Sequence, residues 1–169
     1  MSNEILILRH GKTEKGYEKK DFDRLLLNRG KQESLQIALW LTQNGLVPDL
    51  IISSPAKRAL GTAKIVAECF GILEKNIQLE EDLYLCGEEM IYKIIENISK
   101  RFKRAMIVGH NPGFEYFLES VVGENELRDV GGSRLSTCSV GCICLKRNWS
   151  EVSPEGASLI TLIRPKDLL

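Results

Sequence analysis

The sequence has no excess of either charge. Its 169 residues include 23 basic and 23 acidic side chains, a formal net charge of zero. No global field draws such a chain to nucleic acid or to an acidic membrane, so any anion site has to be local. No apolar run approaches the roughly 20 residues of a membrane-spanning helix. The chain enters an apolar strand pattern at once, with no signal-peptide hydrophobic region before it, and the expectation is a cytoplasmic protein with no membrane partner. The cysteines are five, Cys69, Cys86, Cys138, Cys142 and Cys144, an odd number that does not suit a disulfide framework. Cys138, Cys142 and Cys144 share a parity, but no histidine lies near enough in sequence to complete a metal set; they read as small buried hydrophobes. Cofactor motifs, internal repeats and low-complexity segments are absent. Histidine is scarce: there are two, His10 and His110.

What is present centres on Ile5 to Thr13. Ile5-Leu6-Ile7-Leu8 is an apolar run of the kind that forms a strand buried on both faces. Arg9, His10 and Gly11 follow, at what would be the strand's carboxyl end, where ligands bind in open α/β sheets. Leu50-Ile51-Ile52-Ser53 and Ala105-Met106-Ile107-Val108 read as two further buried strands, and Ile77-Gln78-Leu79 as a brief one. Helices are expected over about Lys31 to Gln43, with Leu35, Ala38 and Leu39 on one face and Asn44-Gly45 as the stop. A second helix follows Ser54-Pro55, a third carries Ile91, Ile94, Ile95, Ile98 and Phe102, and a fourth follows Asn111-Pro112. Ser54 and Asn111 look like N-caps, and Pro55 and Pro112 like first helical residues. Gly123 to Ser136 reads as a loop. Thr137 to Leu145 and Ser158 to Ile163 read as an antiparallel pair at the sheet edge. Together these elements imply one α/β domain over residues 1–169: a three-layer sandwich with a mostly parallel central sheet, an antiparallel C-terminal edge and helices on both faces.

Both histidines follow a buried strand and touch a glycine, and Arg9 and Arg58 lie close to strand ends of the same kind. Such a group suits phosphoryl transfer, which depends on positioning and on stabilising negative charge. Arginine forks onto two oxygens and is always charged. Histidine is a nucleophile when neutral and a hydrogen-bond donor when protonated. One histidine would attack phosphorus while the other donates to an equatorial oxygen, and water would then hydrolyse the phosphohistidine.

Leu8-Arg9-His10-Gly11-Lys12-Thr13 resembles the Arg-His-Gly signature of the histidine phosphatase (phosphoglycerate mutase-like) superfamily. Ser53 to Ala63 resembles its second motif, with Gly61 in place of the usual Gln before Thr62, and Val108-Gly109-His110-Asn111-Pro112 resembles its third. Asp21-Phe22-Asp23-Arg24-Leu25-Leu26 with Arg29-Gly30, and Leu83-Tyr84-Leu85-Cys86-Gly87, resemble the small phosphohistidine phosphatase (SixA-type) branch, with Leu25 where a proline usually follows the Arg.

The resemblance covers about residues 5 to 120. It implies His10 as nucleophile, with Arg9, Arg58 and His110 completing a phosphate pocket that needs no cofactor and no metal. Arg24, Thr13 and Asn111 are candidate substrate contacts; for Arg24 the plain alternative is a solvated loop charge, and for Thr13 a loop cap. The partner would be a phosphorylated protein of the histidine phosphotransfer or phosphocarrier type, or a small phosphorylated substrate, and no nucleic acid. Larger members of the superfamily carry a catalytic acid between the second and third motifs. Glu80, Glu81, Asp82, Glu88 and Glu89 fall in that interval. A weak or absent acid suits a phosphoramidate, whose nitrogen leaves readily once protonated. The competing readings are a broad or small-molecule phosphomonoesterase or mutase, and a non-catalytic phosphate-binding docking module.

Overall fold

The computed structural model describes residues 2–169. Six strands form one sheet: β1 (Glu4–Arg9), β2 (Leu50–Ser53), β3 (Gln78–Leu79), β4 (Arg104–Gly109), β5 (Val140–Leu145) and β6 (Ala157–Ile163). Their order across the sheet is β3-β2-β4-β1-β5-β6. The four strands from β3 to β1 are parallel, and β5 and β6 continue the sheet antiparallel. This is the three-layer α/β arrangement expected from the strand and helix pattern. Among the described residues, no helix is long and apolar enough to cross a membrane.

The alternation of a strand divides β1 between two cores. Ile5 and Ile7 enter a core under α3 (Glu88–Glu96), α4 (Gly113–Val122) and the short α5 (Glu124–Arg128). Leu6 and Leu8 enter a second core under α1 (Asn28–Gln43) and α2 (Lys57–Phe70). All four residues are fully buried. The central strand is thereby held from both sides, and its carboxyl end becomes a rigid platform.

The helices correct several expectations. α1 begins at Asn28, and Leu35 and Leu39 are 45% and 46% exposed. Its buried face is Gly30, Ser34, Ile37, Ala38 and Leu41. Small residues were needed there because α1 meets backbone: a Cβ at Gly30 would lie 2.3 Å from the Lys12 carbonyl oxygen. α2 starts at Lys57, so Pro55 precedes the helix, and the cap position is Ala56 with no side-chain bond. α4 starts at Gly113 after a cis Asn111–Pro112 peptide. Ser54 and Asn111 are therefore not the caps, because their side chains are engaged elsewhere. α3 ends at Glu96, before Ile98 and Phe102, and α5 lies within the expected loop of 123–136.

Candidate active site

β1 and β4 are adjacent and in register, Arg9 opposite Gly109. His10 and His110 therefore leave the sheet side by side, with the His10 N–H bonded to the Gly109 carbonyl at 3.0 Å and ring centroids 5.4 Å apart. β2 pairs with β4 on the other side, and the Ser54 N–H continues that pairing onto the Val108 carbonyl. From there the chain turns into α2 and puts Arg58, fully buried, in its first turn. Gly11 needs its lack of a side chain, because a Cβ would lie 2.8 Å from the Gly30 carbonyl oxygen. Its N–H donates to Thr62 Oγ1 at 2.9 Å, and the Thr62 hydroxyl donates to the Arg58 carbonyl at 2.8 Å. The threonine thus ties the His10 turn to the helix that carries Arg58. Leu26 fills the space beside Gly61, with its Cδ1 3.2 Å from where a Cβ would stand.

His10 Nδ1 lies 2.8 Å from the Gly11 carbonyl. A carbonyl oxygen only accepts, so Nδ1 carries the proton and Nε2 presents a lone pair. Arg58 Nε donates towards that Nε2 at 3.3 Å. Burial, with smaller contributions from Arg58, Arg9 and Arg24, pushes the His10 pKa down to about 4 against the backbone bond that raises it. The ring is neutral at neutral pH. His110 is also neutral, at about 3, because of burial first and then the Arg58 charge. Its Nε2 lies 2.8 Å from Ser54 Oγ, and its Nδ1 and Arg9 Nε are buried without a hydrogen-bond partner. Asn111 Oδ1 is a third such atom. Unpaired buried polar atoms are costly, and of the three Arg9 Nε, and His110 Nδ1 when it carries the proton, are able to donate to a ligand oxygen. The pocket combines one fixed lone pair, two guanidinium groups and a second imidazole, which is what an approaching phosphoryl group needs.

The candidate residues fall into an inner and an outer set. In the inner set, Arg58 Nε donates to His10, whose ring lies beside that of His110, and the charges of Arg58 and Arg9 act on both rings. Arg24 stands one step out: its Nε and Nη2 hold Asp21 Oδ1 at 3.1 and 2.8 Å, and its Nη1 donates to Thr13 Oγ1 at 3.0 Å. Asn111 caps no backbone N–H of its helix; its amide donates instead to Glu115 Oε1 in the first turn of α4 and to the Leu135 carbonyl, both at 2.9 Å. Of the acidic candidates, Glu80 accepts the Asp82 N–H, and both line a groove of about 510 Å³ with Lys93 and Arg101.

Two residues reach the pocket that sequence reasoning did not single out. Asp21 accepts from Arg58 Nη2 at 3.0 Å and from the Tyr84 hydroxyl at 2.6 Å, and its backbone carbonyl accepts from Arg58 Nη1 at 2.7 Å. The Tyr84 hydroxyl, with help from Arg24 and Arg58, holds the Asp21 carboxyl at about 2 although partial burial works the other way. The Tyr84 ring stands edge-on to His110, centroids 5.5 Å apart, and Arg58 lies over it at 5.9 Å. Both residues lie within motifs that carried the resemblance, but nothing local in the sequence aims either side chain. Among the described residues, no group of His, Cys, Asp and Glu is arranged to hold a metal ion.

A family model for the histidine phosphatase superfamily, branch 1, matches residues 5–105. The chain belongs to that superfamily. Among solved structures, it is similar to a candidate SixA phosphohistidine phosphatase from Agrobacterium tumefaciens, with a TM-score of 0.81 and 28% identity over 96% of this chain and 98% of that one. A protein histidine phosphatase SixA complexed with tungstate shares the fold, with a TM-score of 0.80 and 18% identity over 98% and 99% of the two chains. With the family match, the likeness to the Agrobacterium structure puts this histidine phosphatase in the SixA-type branch. It is also 25% identical to an uncharacterised chloroplast protein of Arabidopsis thaliana, over 98% of this chain and 79% of that protein.

Proposed function

We propose that this histidine phosphatase hydrolyses phosphohistidine on a protein of the phosphotransfer or phosphocarrier type, through a covalent phosphohistidine on its own His10. The observation that carries the reading is the His10 tautomer: with Nδ1 donating to the Gly11 carbonyl, Nε2 offers its lone pair beside Arg58 Nε. Nε2 attacks phosphorus, the new P–N bond forms, and the substrate's P–N bond breaks. The departing imidazole leaves as a neutral ring, already protonated on its other nitrogen or taking a proton from water. Arg58 and Arg9 hold the equatorial oxygens, and His110 Nδ1 donates to one of them. Water then attacks phosphorus, the P–Nε2 bond breaks, and inorganic phosphate leaves.

The phosphoramidate substrate is favoured by the state of Asp21. An alkoxide leaving group needs a general acid, whereas Asp21, held at about 2, is ionised. The Tyr84 hydroxyl proton is already donated to it. We take residues 1–169 as one domain of this kind; the matched SixA-type structures span nearly all of it. Its five free cysteines suit a reducing compartment, cytoplasmic on this reading. The test compares hydrolysis of a phosphohistidine protein with that of aryl and sugar phosphate esters, using wild type and His10→Ala. Preference for phosphohistidine, lost in the variant, is expected. Preferred turnover of esters would overturn the substrate assignment, and full activity in His10→Ala would overturn the nucleophile.

A further inference from the structure

One peptide group beside the pocket is gripped from both sides. The Leu135 carbonyl accepts from Arg9 Nη1 and Asn111 Nδ2, each at 2.9 Å. The Leu135 N–H donates to Glu115 Oε1 at 2.8 Å. That same oxygen accepts from Asn111 Nδ2 at 2.9 Å. Side chains from β1, the turn after β4 and the first turn of α4 thus meet on a single amide. Glu115 is half-buried, and its carboxylate opposes the lowering that burial imposes on the Arg9 guanidinium.

A guanidinium is planar, with its five N–H groups in a fixed fork. Pinning Nη1 on one carbonyl sets the plane and leaves Nε and the second Nη as the edge that can meet a phosphoryl oxygen. Arg9 Nε is the atom without a partner. The position of the Leu135 carbonyl therefore decides where that edge points. Of the groups on this amide, Glu115 alone holds the N–H side.

Resting on the function proposed above, we propose that Glu115 is a positioning residue for Arg9: by fixing the Leu135 peptide, it sets the angle at which the guanidinium meets the transferred phosphoryl group. The segment has other ties. Leu135 is buried in the core under α3 and α4, and the Cys138 N–H bonds to the Arg9 and His10 carbonyls. Removing Glu115 should therefore loosen the aim without unfolding the chain.

The experiment measures inorganic phosphate binding by calorimetry, and turnover, on the full chain. Glu115→Ala should weaken phosphate binding and lower kcat/KM about tenfold, the scale of one lost charge-assisted hydrogen bond. Glu115→Gln keeps an acceptor and should restore both to within about threefold. In an Arg9→Lys background the fork is gone, and Glu115→Ala should cost less than about twofold. Wild-type phosphate binding in Glu115→Ala overturns the proposal. So does an undiminished tenfold loss in the Arg9→Lys background, which would make Glu115 a loop staple, or failure of Gln to rescue, which would leave only its charge. If Glu115→Ala does not fold, Glu115→Asp, one methylene too short to span both donors, takes its place with the same expectations. A wild-type chain without phosphate binding and without His10-dependent turnover overturns the functional reading itself, and that is seen before any Glu115 variant is made.

Discussion

The ends of β1 and β4 are built alike and differ in how each ring is held. Each presents a histidine beside a glycine at the carboxyl edge of a buried parallel strand. At the β1 end the Nδ1 partner is a backbone carbonyl, which can only accept. At the β4 end the Nε2 partner is the Ser54 hydroxyl, which can donate or accept. The first ring is locked in one tautomer with a lone pair outward. The second can follow the charge of whatever enters the pocket. The difference suits a nucleophile on one side and an adjustable donor on the other.

The strongest way to break that comparison is to remove each ring in turn. His10→Ala should lower kcat/KM by about 10⁴-fold or more, since on the proposed mechanism His10 carries the covalent intermediate. His110→Ala should cost less, about 10² to 10³-fold, the scale of one lost donor to a developing charge. Steady-state kinetics and trapping of a radiolabelled phosphoenzyme separate the two roles: His110→Ala still labels, slowly, and His10→Ala does not. Equal losses with no label in either variant would make the two strand ends equivalent.

Acid stability sharpens the same contrast on a smaller scale. The folded-state pKa values are about 4 for His10 and about 3 for His110, below the ordinary 6.5. As pH falls below about 6.5, the unfolded chain takes up protons that the folded chain refuses. Stability is therefore full above that point and drops as the pH approaches 4 and then 3. For His10 the loss is on the order of 3 kcal/mol once the window is crossed. Asp21 adds a separate loss, present only as pH falls from its ordinary 3.8 through about 2. Urea unfolding at pH 7 and pH 4.5 should show a smaller drop for His10→Asn than for wild type. An identical drop in both would mean that the histidine is not protected from protons in the folded chain.

Much of this arrangement was legible in the sequence, for a physical reason. Parallel strands covered on both faces must be apolar throughout, so β1, β2 and β4 announce themselves, and the residue types at their carboxyl ends then stand out. The helix starts were less legible. Ser54 and Asn111 look like caps because capping and site chemistry use the same short polar side chains. Here Ser54 is engaged by His110, and Asn111 by Glu115 and Leu135. The inner face of α1 was hidden for a related reason. It is built from Gly30 against the Lys12 backbone and Ser34 beside the Cys138 thiol as well as from Ile37, Ala38 and Leu41, so the apolar period points to the wrong side. Asp21 and Tyr84 lay in recognisable motifs, but their contacts span 37 and 63 positions of chain, which no local pattern encodes.

Ser54 gives the smallest effect and the finest test. If His110 must present a proton on Nδ1 while neutral, Nε2 has to accept, and Ser54 is the hydroxyl placed to donate to it. Its oxygen also receives the Ala56 N–H at 3.3 Å, which helps turn the hydroxyl hydrogen toward the ring. Ser54→Ala leaves both histidines in place and removes only that preference. The expected loss is about tenfold in kcat/KM, the scale of one hydrogen bond, with Ser54→Thr restoring most of it. Imidazole nitrogen shifts from NMR should show His110 moving from the Nδ1–H form toward a tautomer mixture, while His10, held by the Gly11 carbonyl, does not move. A loss as large as that of His110→Ala would put Ser54 itself on the substrate. Unchanged activity with a shifted tautomer would mean that the incoming phosphate, rather than Ser54, sets the proton on His110.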